Sequence, residues 1–274
     1  MGMTKRALVV LVLCGLAAAE APRLLAQFTA EELAQRERWE DFLKTAAVAG
    51  EKQIVGEMAV TSPWRLTLTK DGLSHDALWK NIEGRVRGYV EGWKYEIAAY
   101  LLDKALGLNM VPPTVERRFH EGLGSCQIWV DDCITLKQRE EQKLKMPSHK
   151  VFGWNRATYL QRFWDNLIAN EDRHRNQILL TKDWRMVLID HSRSFRIWKK
   201  LIYTERHPEG PKLMSELPRS IVENIKGLTF DGVRGIVGNN LSDDEIRTLL
   251  VRRDLILAEI DRLVKKNGEA RVLY

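Results

Sequence analysis

The residues best suited to chemistry lie between positions 170 and 190. Asp172, His174 and Asn176 fall within five residues, just after an apolar helical run, and Asp190 closes a short strand-like stretch at 186–189. Oxygen donors on two neighbouring elements suit a hard divalent cation such as Mg²⁺ or Mn²⁺ held against nucleotide phosphates, while a nearby carboxylate or imidazole can orient an attacking hydroxyl. The chemistry such a cluster serves is phosphoryl transfer. It also requires a cation to reach phosphate oxygens and an acid to hold that cation in place. Lys80 and Glu96, sixteen residues apart, supply both types in the right order, one on a strand and the other in the first turn of the next helix.

These residues have to be positioned by an α+β scaffold. Residues 28–48 read as an amphipathic helix with Thr29 and Glu32 forming a capping box. From 52 to 84 the period changes to that of a small antiparallel sheet, with Val55, Ala59, residues 64–69 and 77–82 as strand positions and Asp71-Gly72 as a hairpin turn. Helical period returns at 93–106 and stops at Gly107. Strands are expected at 114–118 and 126–130. After a charged stretch, helices are expected at 154–170, 217–225, 230–236 and 243–266, the last capped by Ser242. The pattern is bilobal: a β-rich N-lobe over 52–131, a hinge and connection over 132–153 and a mainly helical C-lobe over 154–268, preceded by a leading helix within 22–51.

The N-terminus reads as a secretory signal over 1–21. A short basic start with Lys5 and Arg6 precedes an apolar run from 7 to 19 and the small residues Ala17, Ala18, Ala19 and Ala21. The run is short for a bilayer span, so cleavage near Ala19 or Ala21 is expected, with an uncleaved anchor as the only route to membrane association. Export permits a disulfide between Cys126 and Cys133, and their spacing equally allows two free thiols. The formal charge of +6 on 274 residues is spread among interleaved acids and bases, which argues against a nucleic-acid footprint. The tryptophans are scattered through the elements and read as packing.

The stretch 95–108 followed by Val111-Pro112-Pro113 resembles the Glu-bearing helix of the atypical secretory-pathway kinases, the Golgi casein kinase and xylosylkinase group. Asp172-Arg173-His174-Arg175-Asn176 is similar to the catalytic loop of the phosphatidylinositol 3- and 4-kinases, and Leu188-Ile189-Asp190 to their metal-binding aspartate motif; the HipA-like bacterial kinases share the plan. The resemblance spans about residues 52–262. It implies a bilobal protein-kinase-like fold and a kinase that uses ATP with Mg²⁺ or Mn²⁺ to phosphorylate a hydroxyl on protein, glycan or lipid.

Position by position, the resemblance implies Lys80 on the nucleotide phosphates with Glu96 as its partner. Asp172 becomes the catalytic aspartate, with His174 beside it as proton acceptor or transition-state stabiliser, and Asn176 and Asp190 become the metal ligands. Ile128, Trp129 and Val130 form the hinge that meets the adenine, and Arg173 supports the loop by pairing with a carboxylate.

Three departures stand out. The connection near Val60-Thr61-Ser62-Pro63 lacks the glycines of a phosphate loop, His191-Ser192 replaces the usual Phe-Gly after the metal aspartate, and Asn176 stands where Golgi kinases tend to be acidic. Two other readings stay open, a pseudokinase that only binds and a metal-dependent hydrolase built on Asp172, His174, Asp190 and His191. In the insertion at 199–218 and just beyond it, Arg206, Lys212 and Arg219 either meet an anionic acceptor or are simply solvated.

Overall fold

The computed structural model describes residues 28–55, 62–202 and 213–274. The signal-like N-terminus, Ala59, Val60 and Thr61, and Arg206 and Lys212 lie outside the described residues. Among those described, no helix is long and apolar enough to cross a membrane.

The polypeptide opens with α1 (Ala30–Ala34) and α2 (Arg36–Thr45) in place of a single helix over 28–48. The capping box forms as its sequence requires: Thr29 N–H donates to the Glu32 carboxylate at 2.6 Å and Glu32 N–H to the Thr29 hydroxyl at 3.2 Å. Ala47–Gln53 then forms an edge strand, β1. It pairs with β2 (Trp64–Lys70), which turns through Asp71 and Gly72 into β3 (Leu73–Lys80). Both turn residues have positive φ, 50° and 78°, as a two-residue hairpin turn of the primed type demands.

A small hairpin follows, β4 (Glu83–Val86) and β5 (Tyr89–Gly92), turning at Arg87 and Gly88, again with φ positive. Helix α3 (Trp93–Leu106) ends on Gly107 in the left-handed conformation, φ 74°. Strands β6 (Thr114–Phe119) and β7 (Gly122–Ile128) complete an antiparallel five-stranded sheet in the order β1-β2-β3-β7-β6. Its core includes Phe42 and Leu43 from α2, Leu66, Leu68, Ala77 and Trp79 from the central strands, and Val115, Phe119 and Cys126 from β6 and β7.

The stretch that reads as a connection carries structure of its own. Strand β8 (Cys133–Thr135) joins β9 (Ile178–Thr181) and β10 (Met186–Leu188) in a second antiparallel sheet, and α4 (Leu136–Glu141) follows with a capping box on Thr135. The rest is helical: α5 (Ser148–Leu167), α6 (Arg219–Lys226), α7 (Phe230–Val237), α8 (Asp243–Asn267) and the short α9 (Glu269–Val272). Ser242 caps α8 as expected.

The larger core joins α3 to these helices through Tyr100, Leu102 and Leu106 against Phe163, Trp164, Ile225, Val233 and Leu249, all buried. Helix α3 therefore faces the sheet with one side and the helical lobe with the other. A side chain in its first turn is held by both. The architecture is α+β, a small antiparallel β-rich lobe with one main helix set on a mainly helical lobe.

Candidate active site

Lys80 is the last residue of β3 and Glu96 lies in the first turn of α3. The helix runs back past the strand end, so the two side chains meet: Lys80 Nζ donates to Glu96 Oε1 at 2.8 Å and to Asp190 Oδ1 at 2.9 Å. Lys80 and Glu96 are 8% and 3% exposed, so water screens this pair little. Burial alone would push the lysine pKa down, but the carboxylates of Asp190 and Glu96 outweigh it and hold the ammonium above its ordinary range. Burial likewise opposes the charged forms of Glu96 and Asp190. The Lys80 ammonium reverses the balance, aided by the His191 N–H on Glu96 and the Ser192 hydroxyl on Asp190, and both carboxyls lie low.

A close approach of β7 to β3 holds Lys80 in place. Gly124 lies against the Lys80 carbonyl: a Cβ there would come within 2.3 Å of that oxygen and 2.7 Å of the Trp79 ring. Trp79, in turn, donates its indole N–H to the Arg117 carbonyl at 3.0 Å.

Asp190 follows β10 with φ +59°, a left-handed turn uncommon for a non-glycine residue. In the β9–β10 ladder Ile178 pairs with Leu188, and Ile189 N–H donates to the Gln177 carbonyl at 3.1 Å. Beyond that bond the ladder ends: Asn176 lies in the single turn Arg175–Gln177 and Asp190 in its left-handed turn. Asp190 Oδ1 is engaged by Lys80 and Ser192, the latter at 3.1 Å.

Asp172 occupies the loop between α5 and β9. Gln177 Nε2 donates to its Oδ2 and Arg193 Nη1 to its Oδ1, both at 3.2 Å, while its backbone N–H donates to Asn170 Oδ1 at 3.1 Å. Neighbouring His174 is exposed and caps the single turn Arg175–Gln177, its Nδ1 accepting from Asn176 N–H at 3.3 Å.

Arg173 turns inward. Its guanidinium meets buried Asp165 at 3.2 Å and donates to the carbonyls of Gln177 at 3.0 Å and Ile189 at 2.6 Å, tying the Asp172 loop to the Asp190 strand. His191 is completely buried; its Nε2 accepts from Arg173 at 2.9 Å, which leaves the proton on Nδ1. Burial and the Arg173 charge keep its pKa below the usual value despite Glu96. The acceptor nitrogen of this enclosed ring is taken up by the Arg173 guanidinium, which argues against His191 as a member of the hydrolase ligand set.

Ile128, Trp129 and Val130 line a cavity of about 400 Å³ together with Leu78, Leu179 and Ile189. The Ile128 and Trp129 N–H groups already donate to Pro113 and Asp76 carbonyls, each at 3.0 Å. Cys126 and Cys133 do not form the disulfide considered from their spacing; both are free thiols. Cys126 sits in the sheet core, where burial pushes its pKa up to about 12, whereas Cys133 belongs to the second sheet and its thiol donates to the Val130 carbonyl at 3.1 Å.

Sequence reasoning missed three members of the site. Glu91, at the end of β5, is buried and binds Arg193 at 2.8 and 2.9 Å and the Ser192 hydroxyl at 3.1 Å. Asp165 anchors Arg173. No local spacing marks these partners; only the Asp-x-x-Arg run from Asp190 to Arg193 offered a handle. Arg219 is exposed and pairs with Glu269.

No family model matches the chain, and no curated protein matches it. Solved structures do. The structure of hydra Fam20 with sugar superposes with a TM-score of 0.66 at 14% identity, covering 88% of this chain and 92% of that one. The Golgi casein kinase with Mn/ADP bound gives 0.61 at 16% identity, covering 88% and 78%, and a second Golgi casein kinase structure gives 0.60 at 16%, covering 90% and 78%. The chain has an atypical-kinase fold. Within it, Lys80 at the end of β3, Glu96 on α3 and Asp190 after β10 meet.

Proposed function

We propose that the chain is an exported atypical kinase that transfers the γ-phosphoryl group of ATP to a hydroxyl acceptor on a protein, glycan or lipid, with Mg²⁺ or Mn²⁺. The observation that carries this reading is the bridge from Lys80 to both Glu96 and Asp190, which joins a buried ammonium to two carboxylates held low by it. The solved Golgi casein kinase with Mn/ADP bound is consistent with it. Export rests on the signal-like pattern at residues 1–21.

The donor types suit a hard divalent cation: the Asp190 carboxylate and the Asn176 amide oxygen would hold it, both being oxygen ligands of the kind such ions take. When bound, the metal would neutralise charge on the phosphate oxygens. Lys80 would meet the phosphates, fixed by Glu96 so that it need not reorganise during transfer. Ile128, Leu78 and Ile189 would enclose the base, with Val130 N–H as its polar contact. Asp172 would orient the acceptor hydroxyl and take up its proton. The exposed position of His174 leaves it free to face the acceptor.

A thermal-shift screen of the mature chain tests the reading, because a ligand that binds only the folded state raises apparent stability. ATP or ADP with Mg²⁺ or Mn²⁺ should raise the midpoint, and nucleotide or metal alone should do so far less. A response to metal alone would favour a hydrolase, and a nucleotide response without turnover a pseudokinase.

A further inference from the structure

Glu91 stands behind both aspartates of the site. Gly92 N–H donates to the Ser192 carbonyl at 3.0 Å, docking the end of the β4–β5 hairpin on the segment after Asp190. The Ser192 hydroxyl lies 3.1 Å from both Glu91 Oε2 and Asp190 Oδ1, and its single proton serves one at a time. Arg193 holds Glu91 Oε1 through Nε and Nη2 at 2.9 and 2.8 Å, and its remaining nitrogen, Nη1, reaches Asp172 at 3.2 Å. The guanidinium carbon rests 4.4 Å from the centre of the Tyr89 ring. The hairpin is bound a second time where Arg196 donates to the Val90 carbonyl and pairs with Glu171 at 2.6 Å.

Taking the phosphotransfer reading as its basis, we propose that Arg193 is a positioning residue: held by buried Glu91, it fixes the rotation of the Asp172 carboxylate. Gln177 holds the other oxygen, so the carboxylate plane is set from both ends and its remaining lone pairs point in one direction, where an acceptor hydroxyl must arrive. A guanidinium can do this because its planar fork serves two carboxylates at once, whereas an ammonium is a point charge on a flexible stem. Two of the three contacts go to Glu91, so the hairpin sets where Arg193 sits and, through it, where Asp172 faces.

The test compares Arg193→Lys, Arg193→Gln, Arg193→Ala and Glu91→Gln with the wild-type full chain, reading nucleotide affinity with Mn²⁺, the turnover rate of ATP to ADP, and the melting midpoint. The Arg193 variants leave the nucleotide contacts untouched, so their affinity should stay within about threefold while kcat falls about 10- to 100-fold, the scale on which misplacing a reacting group acts; Glu91→Gln, at a residue that also meets the Ser192 hydroxyl beside Asp190, should show the same fall in kcat. Added guanidinium ion should restore part of the Arg193→Ala rate. Unchanged or increased kcat in the Arg193 variants overturns the inference, as does a rate loss that follows the melting midpoint and is not rescued. Wild-type chain that binds nucleotide without turnover overturns the role of Arg193 and leaves the nucleotide site standing; wild-type chain that binds no nucleotide overturns the phosphotransfer reading itself.

Discussion

Glu96 holds the residue after Asp190 as well as Lys80. Its Oε1 accepts from Lys80 Nζ at 2.8 Å while its Oε2 accepts from the His191 backbone N–H, also at 2.8 Å. One buried carboxylate therefore joins the strand that carries the Lys80 ammonium to the segment that follows Asp190. Glu96→Ala leaves a buried ammonium short of a partner and an amide without an acceptor, a change that costs about 3–5 kcal/mol. Urea unfolding should show this loss, and the nucleotide-induced thermal shift should shrink with it. Glu96→Gln keeps an acceptor for one contact and should lose less stability but comparable nucleotide affinity.

Arg173 is the stitch between the Asp172 loop and the Asp190 strand. Removing it strands Asp165 at the centre of the helical lobe, where it is fully buried. Arg173→Ala should lower stability by about 3–5 kcal/mol. Arg173→Lys should recover only part of this, because an ammonium cannot span Asp165 and two carbonyls together. Denaturant midpoints of the three proteins decide the point.

Gly124 is required by space. A methyl group at this position meets the Lys80 carbonyl at 2.3 Å, a contact with backbone that no rotamer change relieves. Gly124→Ala should cost about 1–3 kcal/mol and push the end of β3 outward, weakening nucleotide binding. A variant that binds nucleotide as tightly as wild type would show that β3 and β7 separate without moving Lys80.

Asp103 makes stability pH-dependent in an unusual direction. Burial pushes its carboxyl up to about 7, against the Met110 N–H at 2.9 Å and Arg36 at 3.7 Å. The folded state thus holds a proton that the unfolded chain releases near pH 4. This group's contribution is complete below that pH and is lost as pH rises through about 7. Between those limits the effect is at most about 4 kcal/mol. Asp103→Asn, which can still accept from Met110, should remove this decline, seen as a difference between the melting profiles of variant and wild type across pH 4 to 7.

Local signals were legible where chemistry and periodicity coincide. Asp71-Gly72 gave its turn, Gly107 its helix stop and Ser242 its cap, because each depends on neighbours within a few residues. Lys80, Glu96 and Asp190 stood out by residue type and order, and the fold brings those three together. Strand β1 was hidden because nearly all of it is exposed, so no alternation distinguishes it from the end of a polar helix. The β4–β5 hairpin turns on Arg87-Gly88, which is a weaker turn signal than Asp-Gly, and its strands are largely exposed apart from Glu91 and Gly92. Glu91, Asp165 and Arg193 meet partners up to 102 residues away, and such meetings are made by the fold.

The most direct measurement is calorimetric titration of ATP into folded wild-type chain and into Asp190→Ala and Lys80→Ala, each with and without Mn²⁺. The account predicts metal-dependent binding in the wild type that Asp190→Ala abolishes and Lys80→Ala weakens. Binding that ignores the metal, or that survives both substitutions unchanged, would contradict it.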